Sequence, residues 1–147
     1  MTKHVWLALI VMAIVGSAAL QVKAQTSMGV RASVPFDFVV GDKTFPAGKI
    51  TAYGVSASQA GSISIRNLGS GEQTYRIGQK LTGSDASRDA KLVFHKYGDR
   101  YYLAQIWVPG YKAWEVEKSK SEKALQREAR LAQNSKPEVV TIVGEMQ

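Results

Sequence analysis

The stretch Lys91-Leu92-Val93-Phe94-His95-Lys96-Tyr97-Gly98-Asp99-Arg100-Tyr101-Tyr102-Leu103-Ala104-Gln105-Ile106-Trp107-Val108 decides the fold. Two β-prone runs flank Gly98-Asp99, and a glycine first in a two-residue loop suits a type II′ hairpin turn. Pairing Tyr97 with Arg100 sets Phe94 across from Leu103 and His95 across from Tyr102. Both faces of this hairpin carry apolar groups. It therefore reads as a central pair covered on two sides, or as one covered partly by a later helix.

Working toward the N-terminus, short β-prone runs alternate with turn chemistry at a spacing near ten residues. Val34 to Val40 reads as a strand with Phe36, Phe38 and Val40 on one side and Pro35, Asp37 and Val39 on the other. Pro35 cannot donate to a ladder, so this strand begins there or lies at a sheet edge. Gly41-Asp42 and Phe45-Pro46-Ala47-Gly48 read as turns, and Lys49–Val55, Ser62–Asn67 and Gln73–Ile77 as further strands. Ser56–Gly61 and Thr82–Asp89 lack large apolar residues and read as exposed loops. No helical period interrupts this series before residue 115, which predicts an antiparallel β-sandwich or small β-barrel.

Toward the C-terminus the character changes after Pro109-Gly110. Ser119 with Glu122 three residues on is a capping box, and Lys120–Gln133 continues as a helix with a thin apolar stripe of Leu125, Ala129 and Ala132. Pro137 ends the helical region, and Val139–Val143 is a final strand or a frayed tail. The expected organisation is a leader over 1–24, an antiparallel β domain over 25–114, and a C-terminal helix with a terminal strand or tail over 115–147.

The leader is read from charge and hydropathy. Lys3 and His4 precede an uncharged run from Val5 to Val15, and Val22-Lys23-Ala24 presents small residues at a cleavage site, the pattern of a secretory signal peptide. The run is too short and too diluted by Ala and Gly for a membrane span. Export to the periplasm or the extracellular space is the expected localisation, with no membrane span after cleavage.

Over the full 147 residues there are 19 Lys and Arg against 12 Asp and Glu, a formal charge of +7, with 45% hydrophobic residues and no cysteine. Cleavage leaves 17 basic and 12 acidic side chains and a single histidine, His95. The absence of thiols excludes a disulfide framework, a Cys-ligated metal and a cysteine nucleophile. Positive charge outside the cytoplasm favours an anionic envelope polymer, with another exported protein as the other expected partner. No RNP-like aromatic motif or basic stripe supports nucleic-acid binding, and no motif calls for a metal or a cofactor.

The candidate catalytic residues are His95, Asp37 and Asp99. Imidazole carries protons near neutral pH, and a carboxylate beside it could complete a relay. The bland alternatives weigh more: His95 as a cross-strand packing partner bonded to a backbone group or tyrosine hydroxyl, and Asp37 as a solvated group or a partner of Arg100. The candidate binding residues are Trp114, Tyr111 and Arg100. Trp114 is singled out as an aromatic group outside the core, among Lys112, Glu115 and Glu117, that could stack on a partner.

Three stretches together carry a resemblance: Val34 to Gly48, reading VPFDFVVGDKTFPAG; Leu92 to Arg100, reading LVFHKYGDR; and Tyr102 to Trp107, reading YLAQIW. The chain resembles a group of small exported proteins of unknown function, abundant in acidobacterial genomes, with a similar PFDF segment and FHxYGD hairpin. That resemblance covers about two thirds of the chain and implies export and a β-rich fold, with no activity to carry over. Ala113-Trp114-Glu115-Val116-Glu117 departs from the Gly-Arg-Glu-Leu-Pro usual in that group.

The leading functional expectation is an exported, non-enzymatic structural or binding module. A small hydrolase using His95 with a carboxylate, and an apolar-ligand carrier with an internal cavity, are the alternatives. The first requires His95 in a concave site, the second an unfilled interior.

Overall fold

The computed structural model describes residues 28–54, 60–81, 88–110, 112–132 and 136–147. The leader and most of the loop expected at 82–89 lie outside the described residues. So do Val55, expected at the end of a strand, and 56–59 of the other loop, whose remaining Ala60 and Gly61 belong to a strand.

Among the described residues, eleven strands form one mostly antiparallel sheet that does not close, joined by one helix near the C-terminus. The strands are β1 (Gly29–Val34), β2 (Phe38–Val40), β3 (Lys43–Phe45), β4 (Gly48–Gly54), β5 (Ala60–Asn67), β6 (Gln73–Lys80), β7 (Lys91–Tyr97), β8 (Arg100–Val108), β9 (Lys112–Val116), β10 (Glu138–Val143) and β11 (Glu145–Met146). Helix α1 spans Lys120–Leu131. The order is β10-β7-β8-β9-β6-β5-β4-β1-β11. The β2–β3 hairpin lies off this path, with β2 parallel to β8, the one parallel pairing among the described residues.

The β7–β8 hairpin has the register its turn dictates, with Phe94 opposite Leu103, His95 opposite Tyr102 and Tyr97 opposite Arg100. Gly98 takes φ +59°, which a primed hairpin turn needs and which costs a glycine nothing. A bulge between Val93 and Phe94 leaves Ala104 without a partner on β7 and restores the alternation beyond it.

Val34–Val40 is two strands, not one. Pro35 has no N–H to give to a ladder, so the chain leaves β1 at Val34 and re-enters the sheet at Phe38, now beside β8 instead of β4. The crossing puts Phe38 between Phe45, stacked at 5.5 Å, and Phe94, edge-on at 5.2 Å. These rings, with Ile50, Ile63, Ile65, Leu92 and Ile106, fill the interior. That filling does not favour the carrier expectation.

The C-terminal segment belongs to the sheet. β10 runs antiparallel to β7, and two residues later β11 runs antiparallel to β1, Val30 opposite Met146. Gly144 makes the passage. A Cβ there would meet the Arg31 carbonyl at 2.5 Å, while its own N–H donates to the Ala90 carbonyl at 2.8 Å. The two edges of the open sheet are thus joined by one short segment. Among the described residues no helix is long and apolar enough to cross a membrane.

Candidate functional site

His95, Tyr97 and Tyr102 project from the outward face of the β7–β8 hairpin because His95 pairs with Tyr102 and side chains two apart share a face. Helix α1 begins over this patch. Ser119 caps it, its Oγ accepting from the Glu122 N–H at 3.1 Å. The Glu122 carboxylate, which a capping box would aim at the Ser119 N–H, goes instead to His95, with Oε1 3.0 Å from Nδ1. Glu122 is only 3% exposed. His95 therefore bonds a carboxylate from another element, and not the backbone group or tyrosine hydroxyl expected of it.

Tyr97 completes the cluster. Its hydroxyl is buried beside the Glu122 carboxylate, short of strict hydrogen-bond geometry but close enough for that carboxylate to help hold its proton. Burial first, and the negative charge of Glu122 second, push its pKa up to about 12. The phenol stays neutral at any physiological pH.

Beside this cluster lies a depression of about 570 Å³ lined by Asp37, Asp42, Asp99, Arg100, Tyr102 and Ser121 among others. The fold thus gathers Asp37, Asp99 and Arg100 around one concavity, while His95 is not among its lining residues. Asp37 is committed to local structure: Oδ1 accepts from the Ala47 N–H at 2.8 Å and pins the turn between β3 and β4. No ion pair joins Asp37 to Arg100. Among the described residues no group of three or more His, Asp or Glu side chains is placed to hold a metal ion.

Trp114 is corrected from a surface aromatic to a core residue. It is 3% exposed, alternating with Glu115 on β9, and faces inward opposite Ile106. A Cβ at Gly54 would stand 3.0 Å from its Cζ2, so the indole occupies space that a side chain there would take. Tyr111 lies outside the described residues.

A feature that motif reading missed lies on the opposite half of the sheet. β1, β4, β5 and β6 carry Arg31, Lys49, Arg66, Arg76 and Lys80 and no Asp or Glu. Registers place Arg31, Thr51, Arg66 and Gln73 side by side in one outward row, and Tyr53, Ser64 and Tyr75 in the next. Tyr75 is 61% exposed and Ile77 nearly as much. Among the described residues the two ion pairs are His95–Glu122 and Lys96–Glu138, so none of these five cations is neutralised by one. Arg31 donates to the Gln147 side-chain carbonyl, which leaves its charge intact, and Glu145 stands opposite it at the border. The signal was present in the sequence as the absence of acids from four strands, but only the strand order gathers them.

No family model, no curated protein and no solved structure matches the chain.

Proposed function

We propose that the chain is an exported, non-enzymatic binding module whose partner is an anionic surface polymer. The observation that carries this reading is the acid-free block of four neighbouring strands whose outward face carries Arg31, Lys49 and Arg66, while Arg76, opposite Ile63, and Lys80, opposite Trp114, stand on the other face. Arg31 and Arg66 stand two strands apart, about 10 Å by ordinary strand spacing. The exposed Tyr75 ring beside them offers an apolar face with a polar tip, suited to a sugar ring. A row of cations across neighbouring strands meets an extended polyanion along its length, and the contact weakens as salt screens it. Export is supported by the leader over residues 1–24 and by the resemblance to small exported β-rich proteins. The hydrolase reading has less behind it: His95 spends Nδ1 on holding α1, and Asp37 spends a carboxylate oxygen on a turn.

The test is retention on immobilised heparin and polygalacturonate, with neutral dextran as control. The expected result is salt-reversible retention by the two polyanions, lost by more than tenfold in the Arg31→Gln/Lys49→Gln/Arg66→Gln variant. Equal retention of that variant and the parent protein would overturn the reading.

A further inference from the structure

Tyr75 on β6, Arg66 on β5, Tyr53 on β4 and Arg31 on β1 follow one another across four neighbouring strands of the outward face, aromatic and cationic in turn. The registers set the two tyrosines in one cross-strand row with Ser64 between them, and the two arginines in the adjoining row with Thr51 between them. Like groups are therefore two strands apart, about 10 Å, and each arginine is the diagonal neighbour of a tyrosine. The positions between them are low. Ser64 and Thr51 are buried, whereas Arg31 and Arg66 are exposed and Tyr53 is half-buried.

Tyr75 is held where it stands. Gln73 Nε2 donates to the Tyr75 hydroxyl at 3.0 Å and to Ser64 Oγ at 2.9 Å, which uses both of its N–H groups and draws the phenol along the strand. The residue nonetheless stays 61% exposed, so the ring keeps a face open to solvent. Opposite Tyr53, β1 carries Gly29, where a Cβ would stand 2.7 Å from the Tyr53 Cβ. No side chain crowds that ring from β1.

We propose that the polymer this face takes is an extended β-1,4-linked uronan, a chain of pyranoses each bearing one carboxylate, laid across the strands. This deepens the polyanion reading and rests on it. In such a chain each ring is turned over relative to the last, so carboxylates emerge on the same side at every second sugar. That two-sugar repeat matches the two-strand separation of Arg66 and Arg31. The apolar ring faces come down on Tyr75 and Tyr53, and the carboxylates accept paired hydrogen bonds from the planar guanidinium forks. Polyphosphate has the charge without ring faces. An α-1,4-linked uronan has both, but it coils, and its carboxylates do not return to one side at that spacing.

The experiment is isothermal titration calorimetry of the full-length chain with oligomers of β-1,4-mannuronate and of α-1,4-galacturonate, equal in length and charge, and with polyphosphate of matched charge. The mannuronate oligomer is expected to bind most tightly. Tyr75→Ala is expected to weaken its binding about three- to tenfold and to leave polyphosphate unmoved. Arg66→Lys, which keeps the charge and loses the fork, is expected to act in the same way. Both side chains are exposed, and circular dichroism checks the fold of each variant. If Tyr75→Ala fails to fold, Arg66→Lys carries the test. Mannuronate binding no tighter than that of the other two ligands, or indifferent to the folded variants, would overturn the proposal and leave the polyanion reading in place. Binding of none of the three would overturn both.

Discussion

The Glu122 carboxylate lies 3.0 Å from Nδ1 of His95, and Glu122 is the one buried residue of α1. The helix is therefore anchored by a polar contact more than by its apolar stripe, in which Leu125 and Ala129 are half-buried and Ala132 is exposed. A carboxylate taken out of water is tolerable only while a donor answers it.

His95→Ala removes that donor and leaves the carboxylate buried without a partner, at an expected cost of about 2–4 kcal/mol. Glu122→Gln keeps an acceptor without the charge and should cost less, about 1–2 kcal/mol. Urea denaturation of the two variants checks the order. If His95→Ala costs no more than a typical surface substitution, the anchoring role is wrong.

Tyr97 makes stability fall at alkaline pH. Its folded pKa of about 12 exceeds the ordinary 10.0, so between those values the unfolded chain has lost the phenolic proton while the folded chain keeps it. The stability that Tyr97 contributes is fully present below pH 10 and declines toward pH 12, by about 1 kcal/mol once solvent screening of the partly exposed ring is counted. Tyr97→Phe removes this slope. Thermal melts from pH 7 to 11 on both proteins would show it, and parallel curves would refute it.

Asn67 ties two turns together. Its side-chain N–H donates to the Pro46 carbonyl at 2.8 Å, and its Oδ1 accepts from the N–H groups of Gly69 and Ser70 at 2.8 and 3.1 Å. The residue is fully buried. Asn67→Ala strands these backbone groups and should cost about 2–4 kcal/mol. Asn67→Asp sets a buried carboxylate oxygen against the Pro46 carbonyl and should cost at least as much at pH 7, and less in acid, where the protonated carboxyl can donate. Comparison of denaturation midpoints at the two pH values decides this; an Asp variant as stable as the parent at pH 7 would mean the Pro46 contact is dispensable.

The β7–β8 hairpin was legible because a two-residue turn fixes register locally, and the alternation on either side agrees with it. The Ser119 cap was legible for the same reason. β1 was hidden because Pro35 reads as the start of a strand when it is the break between two, and only tertiary pairing tells which. Glu115 and Glu117 alternate with Trp114 and Val116, a two-residue rhythm that would have revealed β9 and buried the indole. The partner of His95 lies 27 residues away on a helix, and no local pattern encodes that meeting. The basic block needed the strand order, since β1, β4, β5 and β6 become neighbours only after the β2–β3 hairpin is set aside.

Val30 finds its neighbour at Met146, more than a hundred residues downstream, through the same short segment that supplies β7 with a partner. Both borders of the sheet must wait for the ribosome to deliver that segment. Contacts so distant along the chain make folding slow and late. A nascent polypeptide of this design keeps both borders of its sheet open until that segment has emerged.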